Sequence, residues 1–244
     1  HIFLAGEAPG LFYGYVTQGI VQKEDITENG IKYIKQDGSV GYYQTVNKTT
    51  PVAGDVKYVD RNGDGVVDDN DRDIIGNPNP DFTYGFQTKV SWKSLSLSAS
   101  FNGVQGRDIL NVGNRYNNTP GTKSNNVTRK AFQNMWTDEN PSNLYPKSTF
   151  VVQNMVMDRY VEDGSYLRCS DITLSYILPA KWTNKIGIKN TSVYASVKNA
   201  FVITDYSGYD PEVNSFAFDG LRPGVDMNSY PTPRSFVFGL NLTF

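Results

Sequence analysis

The stretch of this chain with the most potential chemistry is residues 60–71, which read DRNGDGVVDDND. Its spacing matches the Asp-x-Asn-x-Asp-Gly pattern, in which alternate oxygens converge on one calcium ion. The pattern assigns these ligands: Asp60, Asn62 and Asp64 through their side chains, Val66 through its carbonyl, and Asp71 at the last position. The sequence therefore predicts one calcium ion with a structural role, because no open position or paired base suggests catalysis.

Two features leave the metal assignment open. Asp71 stands where helix–loop–helix calcium sites have the longer glutamate, and the flanking residues have no helical pattern. A loop of Asp, Asn and Gly also forms turns without any metal, since short polar side chains bond to their own backbone. The alternative is therefore an acidic turn, and a paired calcium sensor is not expected.

Composition narrows the function classes. The chain has 244 residues with 23 Lys plus Arg and 25 Asp plus Glu, a net charge of -2 that does not suit a nucleic-acid partner. Cys169 is the one cysteine, so no internal disulfide can form, and the one histidine is His1. At the first position of the chain, His1 is a poor candidate for a catalytic base, and we predict no enzyme and no catalytic residues.

Strict alternation of apolar and polar residues recurs in several segments from residue 82 onward and predicts antiparallel strands. In residues 82–92 the apolar face is Phe82, Tyr84, Phe86, Val90 and Trp92, and residues 95–102 repeat the alternation with opposite parity. A two-residue turn at Lys93-Ser94 would pair Trp92 with Leu95, so that apolar residues meet on one face. The sequence therefore predicts a hairpin.

Five strands of this kind are expected, near residues 82–92, 95–104, 166–178, 192–203 and 235–244. The loops between and before them are expected at 23–80, 105–164 and 204–234, with a short helix within 127–136. Alternation alone is also compatible with a soluble sheet that has one solvent-exposed face. Aromatic residues at strand ends, long loops on one side only and a final Phe244 favour a transmembrane barrel instead. The predicted fold class is all-β, the C-terminal portion of a large antiparallel transmembrane β-barrel with long extracellular loops.

Three segments carry a family resemblance: GDVKYVDRNGDGVVDDNDRDIIGNPNPDFTYGF (54–86), LFYGYVTQGIVQ (11–22) and YVEDGSYLRCSDITLSYILP (160–179). Together with the end of the chain, DMNSYPTPRSFVFGLNLTF, they resemble the SusC/RagA family of TonB-linked outer-membrane transporters. The resemblance runs in order along nearly the whole chain. It implies a C-terminal piece of a barrel of about 22 strands, whose plug domain and N-terminal part would lie upstream.

The resemblance also implies function and partners. The whole protein would import a glycan or peptide across the outer membrane with a SusD-like lipoprotein lid. Energy would come from the TonB/ExbB/ExbD complex through the absent N-terminal part. Loops would be extracellular and the C-terminus periplasmic, with lipid around the barrel.

Other interpretations stay open from the residues alone. The alternative function is a calcium-stabilised soluble β-sandwich that binds carbohydrate. Tyr, Phe and acidic residues within 205–226 suit either sugar contacts or packing of the loop on itself. By parity, Cys169 is expected on the polar face with Asp171.

Overall fold

The computed structural model describes residues 1–119, 126–148, 155–183, 188 and 190–243. The chain divides into two compact units: one comprises residues 1–79, 108–162 and 213–229, and the other residues 80–107, 163–212 and 230–244. The strands are β1 Phe12–Tyr15, β2 Thr17–Ile20, β3 Ile26–Thr27, β4 Gly30–Ile34, β5 Val40–Tyr43, β6 Thr45–Val46, β7 Val56–Tyr58, β8 Val66–Val67, β9 Arg72–Gly76, β10 Phe82–Trp92, β11 Leu95–Gln105, β12 Asp108–Asn111, β13 Val161–Asp163, β14 Tyr166–Ile177, β15 Asn190–Thr204, β16 Val225–Asp226 and β17 Ser235–Thr243. The helices are α1 Val112–Asn118, α2 Arg129–Asn134 and α3 Ala180–Thr183, with single 3₁₀ turns at Lys23–Asp25, Asp69–Asp71 and Asp158–Tyr160.

The second unit is a five-stranded antiparallel sheet, called here the large sheet, in the order β10-β11-β14-β15-β17. Its strands have 11, 11, 12, 15 and 9 residues, long enough to cross a bilayer at a tilt. Their bounds differ from the predicted bounds by at most two residues at each end. Phe244, the predicted last residue of the final strand, lies outside the described residues.

The predicted hairpin of β10 and β11 is confirmed residue by residue. Trp92 pairs with Leu95, Val90 with Leu97 and Phe86 with Phe101. The turn residue Lys93 has a φ of 55°, the left-handed conformation that tight hairpin turns require even without glycine. Phe86 and Phe101 stack with ring centroids 4.5 Å apart, so the register brings apolar neighbours together on one face.

A bulge in β14 reverses its parity, and the prediction for Cys169 is wrong for this reason. Ser100 pairs with Asp171 but Phe101 pairs with Cys169, so Ser170 is an extra residue in β14. Cys169 also pairs with Phe201 of β15. Because directly paired residues share a face, the bulge places Cys169 on the apolar face with the two phenylalanines. There it is fully buried, whereas Asp171 belongs to the polar face.

The first unit contains segments that were predicted as loops, yet it has short sheets and a core of its own. β1 pairs with β9, β2 with β7, β4 with both β3 and β5, and β6 with β8. The core is rich in tyrosine: Phe12, Tyr15, Tyr33, Tyr43 and Tyr58 are nearly or fully buried. Three buried hydroxyls have partners. Tyr33 donates to Asp60 O at 2.6 Å, Tyr43 accepts from Tyr58 N at 3.2 Å, and Tyr58 donates to Met157 Sδ at 3.7 Å. Polar satisfaction lets these large rings serve as core residues.

The helices are few and short. α2 lies within residues 127–136, where a short helix was predicted, and Thr128 caps it by accepting from Ala131 N at 3.1 Å. Among the described residues, none of the helices has the length and apolar character needed to cross a membrane. The described structure is thus predominantly β, and the all-β prediction is confirmed.

The packing of the first unit can be tested at the contact of β1 with residues 155–157. Tyr15 N donates to Val156 O at 2.9 Å, and a Cβ on Gly14 would lie 2.4 Å from the same oxygen. We expect Gly14→Ala to lower the free energy of unfolding by about 1–3 kcal/mol, because backbone must move to admit the methyl group. Thermal unfolding followed by near-ultraviolet circular dichroism of the tyrosines measures this change.

Gly220→Ala is the matched control, since a Cβ there meets nothing within 4 Å. We expect the control to unfold at the wild-type temperature. Equal melting temperatures for Gly14→Ala and wild type would contradict the close packing of β1 on this segment.

Candidate functional site

The acidic stretch 60–71 lies in the first unit between β7 and β9 and includes β8 and a 3₁₀ turn. Short polar side chains shape it locally by accepting from backbone two residues ahead. Asn62 Oδ1 accepts from Asp64 N at 2.9 Å, Asp64 Oδ1 from Val66 N at 2.8 Å, and Asp68 Oδ1 from Asn70 N at 2.8 Å. These bonds explain why a run of Asp and Asn folds into consecutive tight turns.

Asp60 is the buried start of this stretch, only 2% exposed. Its Oδ1 accepts from Gly63 N at 2.6 Å and its Oδ2 from Gly65 N at 2.8 Å. Gly63 and Gly65 have φ values of 78° and 85°, which glycine adopts without strain. The two glycines therefore let the backbone curl around one carboxylate.

Asp71 closes the stretch from the other side and is fully buried. Its Oδ1 accepts from Arg61 N at 2.8 Å and from Asn62 N at 3.3 Å, and its Oδ2 accepts from Asp68 N at 2.8 Å. The side chain thus ties both ends of the stretch together through charge-assisted hydrogen bonds.

Burial changes the acid–base behaviour of Asp60 and of the neighbouring Tyr33. Desolvation raises the pKa of the Asp60 carboxyl above its usual range, although the Gly65 and Gly63 amides oppose the shift and Asp71 and Asp64 add to it. The pKa of Tyr33, whose hydroxyl donates to the Asp60 carbonyl, is raised to about 12 by burial and by the charges of Asp60 and Asp71. Burial and the neighbouring carboxylates therefore disfavour the charged form of Asp60.

The five residues predicted to bind calcium are brought only partly together. Asp60 and Asp71 point inward, whereas Asn62 and Asp64 are exposed and bond to each other, Asn62 Nδ2 to Asp64 Oδ2 at 3.0 Å. The carbonyls of Gly65 and Val67 accept from Gln44 N and Asn47 N, so the Val66 carbonyl between them points the other way. Across the residues that the structure describes, no three Asp, Glu, His or Cys side chains are grouped as a metal site.

A second cluster of charges, on the polar face of the large sheet, was missed by the sequence reasoning. Arg168 is 5% exposed, and its Nη2 lies 2.5 Å from Asp210 Oδ1 and its Nε 3.1 Å from Glu212 Oε2. Glu212 Oε1 also accepts from Tyr166 Oη at 2.6 Å and from Asn102 Nδ2 at 3.0 Å. The cluster fixes residues 210–212, beyond the end of β15, against β14.

No local sequence signal predicted this cluster. Arg168 and Asp210 are 42 residues apart, and only the register of the sheet brings them together. The segment 205–226, which was considered for sugar contacts, divides between the two units after Glu212. In it, Tyr206 is buried, whereas Tyr209 is 72% and Phe218 83% exposed. The described geometry therefore gives part of this segment a packing role.

Comparison with known proteins finds relatives among TonB-dependent receptors. No protein-family model matches it. TonB-dependent receptor P3 of Formosa agariphila is 33% identical over 248 residues, covering 100% of this chain and 23% of the receptor. TonB-dependent receptor P26 of the same organism is 35% identical over 79% of this chain and 20% of the receptor. TonB-dependent receptor SusC of Bacteroides thetaiotaomicron is 34% identical over 77% of this chain and 17% of the receptor.

Solved structures give the same answer for the fold. The RagAB peptide importer in its open-open state superposes with a TM-score of 0.65 at 25% identity, covering 97% of this chain and 22% of that one. Its closed-closed state gives a TM-score of 0.66, also at 25% identity and covering 97% of this chain. The chain spans 17% to 23% of the length of these relatives. With an all-β fold and relatives of this kind along its whole length, the chain belongs to the SusC/RagA family of TonB-dependent receptors.

Proposed function

We propose that this chain forms part of the wall of an outer-membrane transporter that imports a nutrient, either a glycan or a peptide. One observation carries the proposal: the large sheet has an apolar face that stays exposed to the surroundings of the chain. Val90 is 63%, Trp92 68%, Phe236 66% and Phe238 79% exposed. A contiguous apolar face of this size is costly in water and suits the hydrocarbon of a bilayer.

The opposite face of the same strands is polar and consists mainly of small side chains. At its centre the cross-strand rows are Gln87 with Ser100, Lys89 with Ser98, and Ser98 with Thr173. Hydroxyl, amide and amino groups of this kind suit a water-filled lumen. Backbone pairing along each strand would leave few polar groups unsatisfied at membrane depth, which a bilayer requires.

The connections suggest an orientation. β10 and β11 are joined by two residues and β14 and β15 by twelve, whereas the segments between β11 and β14 and between β15 and β17 are far longer. Outer-membrane barrels have short periplasmic turns and long extracellular loops. We therefore place the acidic stretch and the first unit outside the cell and the end of β17 toward the periplasm.

Partners follow from the relatives. RagAB is described as a peptide importer, and we propose by analogy a SusD-like lipoprotein lid and energy supply from TonB, ExbB and ExbD for the whole protein. This role is transport and not catalysis.

The alternative, a soluble carbohydrate-binding sandwich, would bury the apolar face of its sheet, and the exposure of Val90 and Phe238 argues against it.

Arginine substitutions test which face meets lipid. We expect Val90→Arg and Phe238→Arg to block stable assembly of the full-length protein, because an arginine that faces lipid hydrocarbon costs up to about 2–4 kcal/mol, depending on its depth. Heat-modifiable gel migration of outer-membrane fractions measures the folded fraction.

Gln87→Arg is the control, since Gln87 pairs with Ser100 on the polar face and an arginine there would meet water. We expect its folded fraction to equal that of wild type. If all three variants migrate alike, the assignment of the two faces is incorrect.

We also propose that the acidic stretch binds one calcium ion through Asp60, Asn62, Asp64, Val66 and Asp71, with a structural role. The burial of two carboxylates in one short stretch, those of Asp60 and Asp71, supports this, since a hard divalent cation would offset their repulsion. Each carboxylate has lone pairs beyond those that accept backbone N–H groups. Asn62 and Asp64 would have to exchange their mutual hydrogen bond for the ion.

Removal of two proposed ligands tests the calcium site. We expect Asp60→Ala combined with Asp64→Ala to abolish calcium binding and to increase protease cutting between residues 54 and 76, while the barrel still assembles. Elemental analysis after dialysis against millimolar calcium, with limited proteolysis, measures both effects.

Asp37→Ala is the matched control, because Asp37 lies in an exposed turn outside the stretch, bonded to Ser39 at 2.6 Å. It should retain the ion and the wild-type cutting pattern. Absence of calcium from the wild-type protein under these conditions would show that the stretch is only an acidic turn.

A further inference from the structure

The apolar face of the large sheet has a groove near its short-turn end. The groove has a volume of about 540 Å³, and its main lining residues are Leu95, Leu174, Tyr176, Ala195, Phe238 and Leu240. Ala195 pairs with Leu174 on one side and with Phe238 on the other. A methyl group between two large side chains leaves a depression, so the register of three strands makes the groove.

The groove suits a hydrocarbon occupant. Its volume falls within the range typical of small-molecule sites. Its walls are almost entirely apolar, and Phe238 and Leu240 remain 79% and 57% exposed. If this face lies in a bilayer, as the proposed function requires, an acyl chain is the apolar ligand present at high concentration.

The turns beside the groove carry positive charge without any acidic neighbour in sequence. Lys93 lies in the turn between β10 and β11, and Lys181 lies in α3 between β14 and β15; both side chains are exposed. The segments 82–107 and 172–204 contain no Asp or Glu. Lys185 and Lys189, in the second of these segments, lie outside the described residues. This end of the sheet is therefore cationic.

The two lysine-bearing turns belong to the same end of the sheet as the groove. Ile177 N, at the end of β14, donates to Ser94 O at 2.8 Å and so joins the β10–β11 turn to the strand that leads into α3. Leu95 and Tyr176, which line the groove, are directly paired just beyond this contact. Exposed Trp92 and Trp182 flank the turns, and Lys93 Nζ lies 4.8 Å from the Trp92 ring centroid. Tryptophan with lysine is typical of the headgroup level of a membrane.

From this juxtaposition we infer that the short-turn end of the large sheet is a binding site for an anionic phospholipid. One acyl chain occupies the groove over Ala195, and the phosphate group lies near Lys93 and Lys181. The lysines supply the charge complement of the headgroup, and the groove selects against a free phosphate ion, which has no chain to bury. The site rests on the proposed membrane location of this face.

Lipid retention by the full-length protein tests the inference. The protein is placed in nanodiscs of phosphatidylethanolamine and phosphatidylglycerol at a ratio of three to one, then delipidated stepwise and weighed by native mass spectrometry. We expect wild type to retain one phosphatidylglycerol preferentially. Lys93→Gln combined with Lys181→Gln should weaken retention about thirtyfold, since each lysine near an anionic lipid surface contributes about fivefold.

Filling the groove gives a second variant. Ala195→Phe should abolish preferential retention by occupying the space of the acyl chain. Its control is Ala99→Phe, a small residue of the same face that pairs with Thr88 and Ile172 away from the groove. The lysine control is Lys89→Gln on the polar face. Both controls should retain phosphatidylglycerol as wild type does, and heat-modifiable migration verifies that every variant is folded.

The possible outcomes distinguish failure of the lipid-site proposal from failure of the proposed function. If the protein does not insert into the bilayer, both proposals fail. If it inserts but retains phosphatidylethanolamine equally well, or if the double lysine variant matches wild type, only the lipid site is overturned. Replacement of the retained lipid by millimolar inorganic phosphate would likewise overturn it, because the site would then bind an anion without a chain.

Discussion

Strand register is the constraint on which the rest of the large sheet depends. Side chains alternate with period two, so a slip of one residue would move every apolar side chain of a strand to the polar face. Phe86 pairs with Phe101, Phe101 with Cys169, and Cys169 with Phe201, so the apolar row continues across four strands. At Ser170 and near Asn199 the strands change register without losing this row. The bulge keeps the apolar row continuous across the sheet, but it changes which residues of β14 belong to that row.

The same bulge connects the sheet to its charge cluster. Because β14 changes parity at Ser170, Arg168 comes to lie on the polar face, opposite Asn102 of β11. There a buried guanidinium needs a partner, and Asp210 supplies it at 2.5 Å. Removing either partner would leave an uncompensated charge, so the segment after β15 is held in place more firmly than its loop-like composition suggests. In a transporter wall, that segment would be a fixed part of the lumen edge.

In the first unit, side-chain hydrogen bonds join the acidic stretch to an aromatic core. Tyr33 is buried in that core and donates to the carbonyl of Asp60, whose carboxylate in turn accepts from Gly63 and Gly65. The stretch is therefore anchored by its first residue and closed by Asp71. A cation would act on a loop whose backbone is already ordered, which suits a structural role better than a sensor that must change shape.

Features that depend only on residues close together in the sequence could be predicted from the sequence. Period-two alternation predicted the hairpin of β10 and β11 down to its paired residues, and short-range turn chemistry accounts for the bonds of Asn62, Asp64 and Asp68. The quoted motifs identified the family, because many residues in a fixed order are specific even where each one is not. Tertiary structure alone decided the face of Cys169, the ion pair of Arg168 with Asp210 and the groove over Ala195. Each of these features depends on which residue of a distant strand lies opposite. A single bulge changes that pairing, and the alternation of residues along the strand does not reveal the bulge.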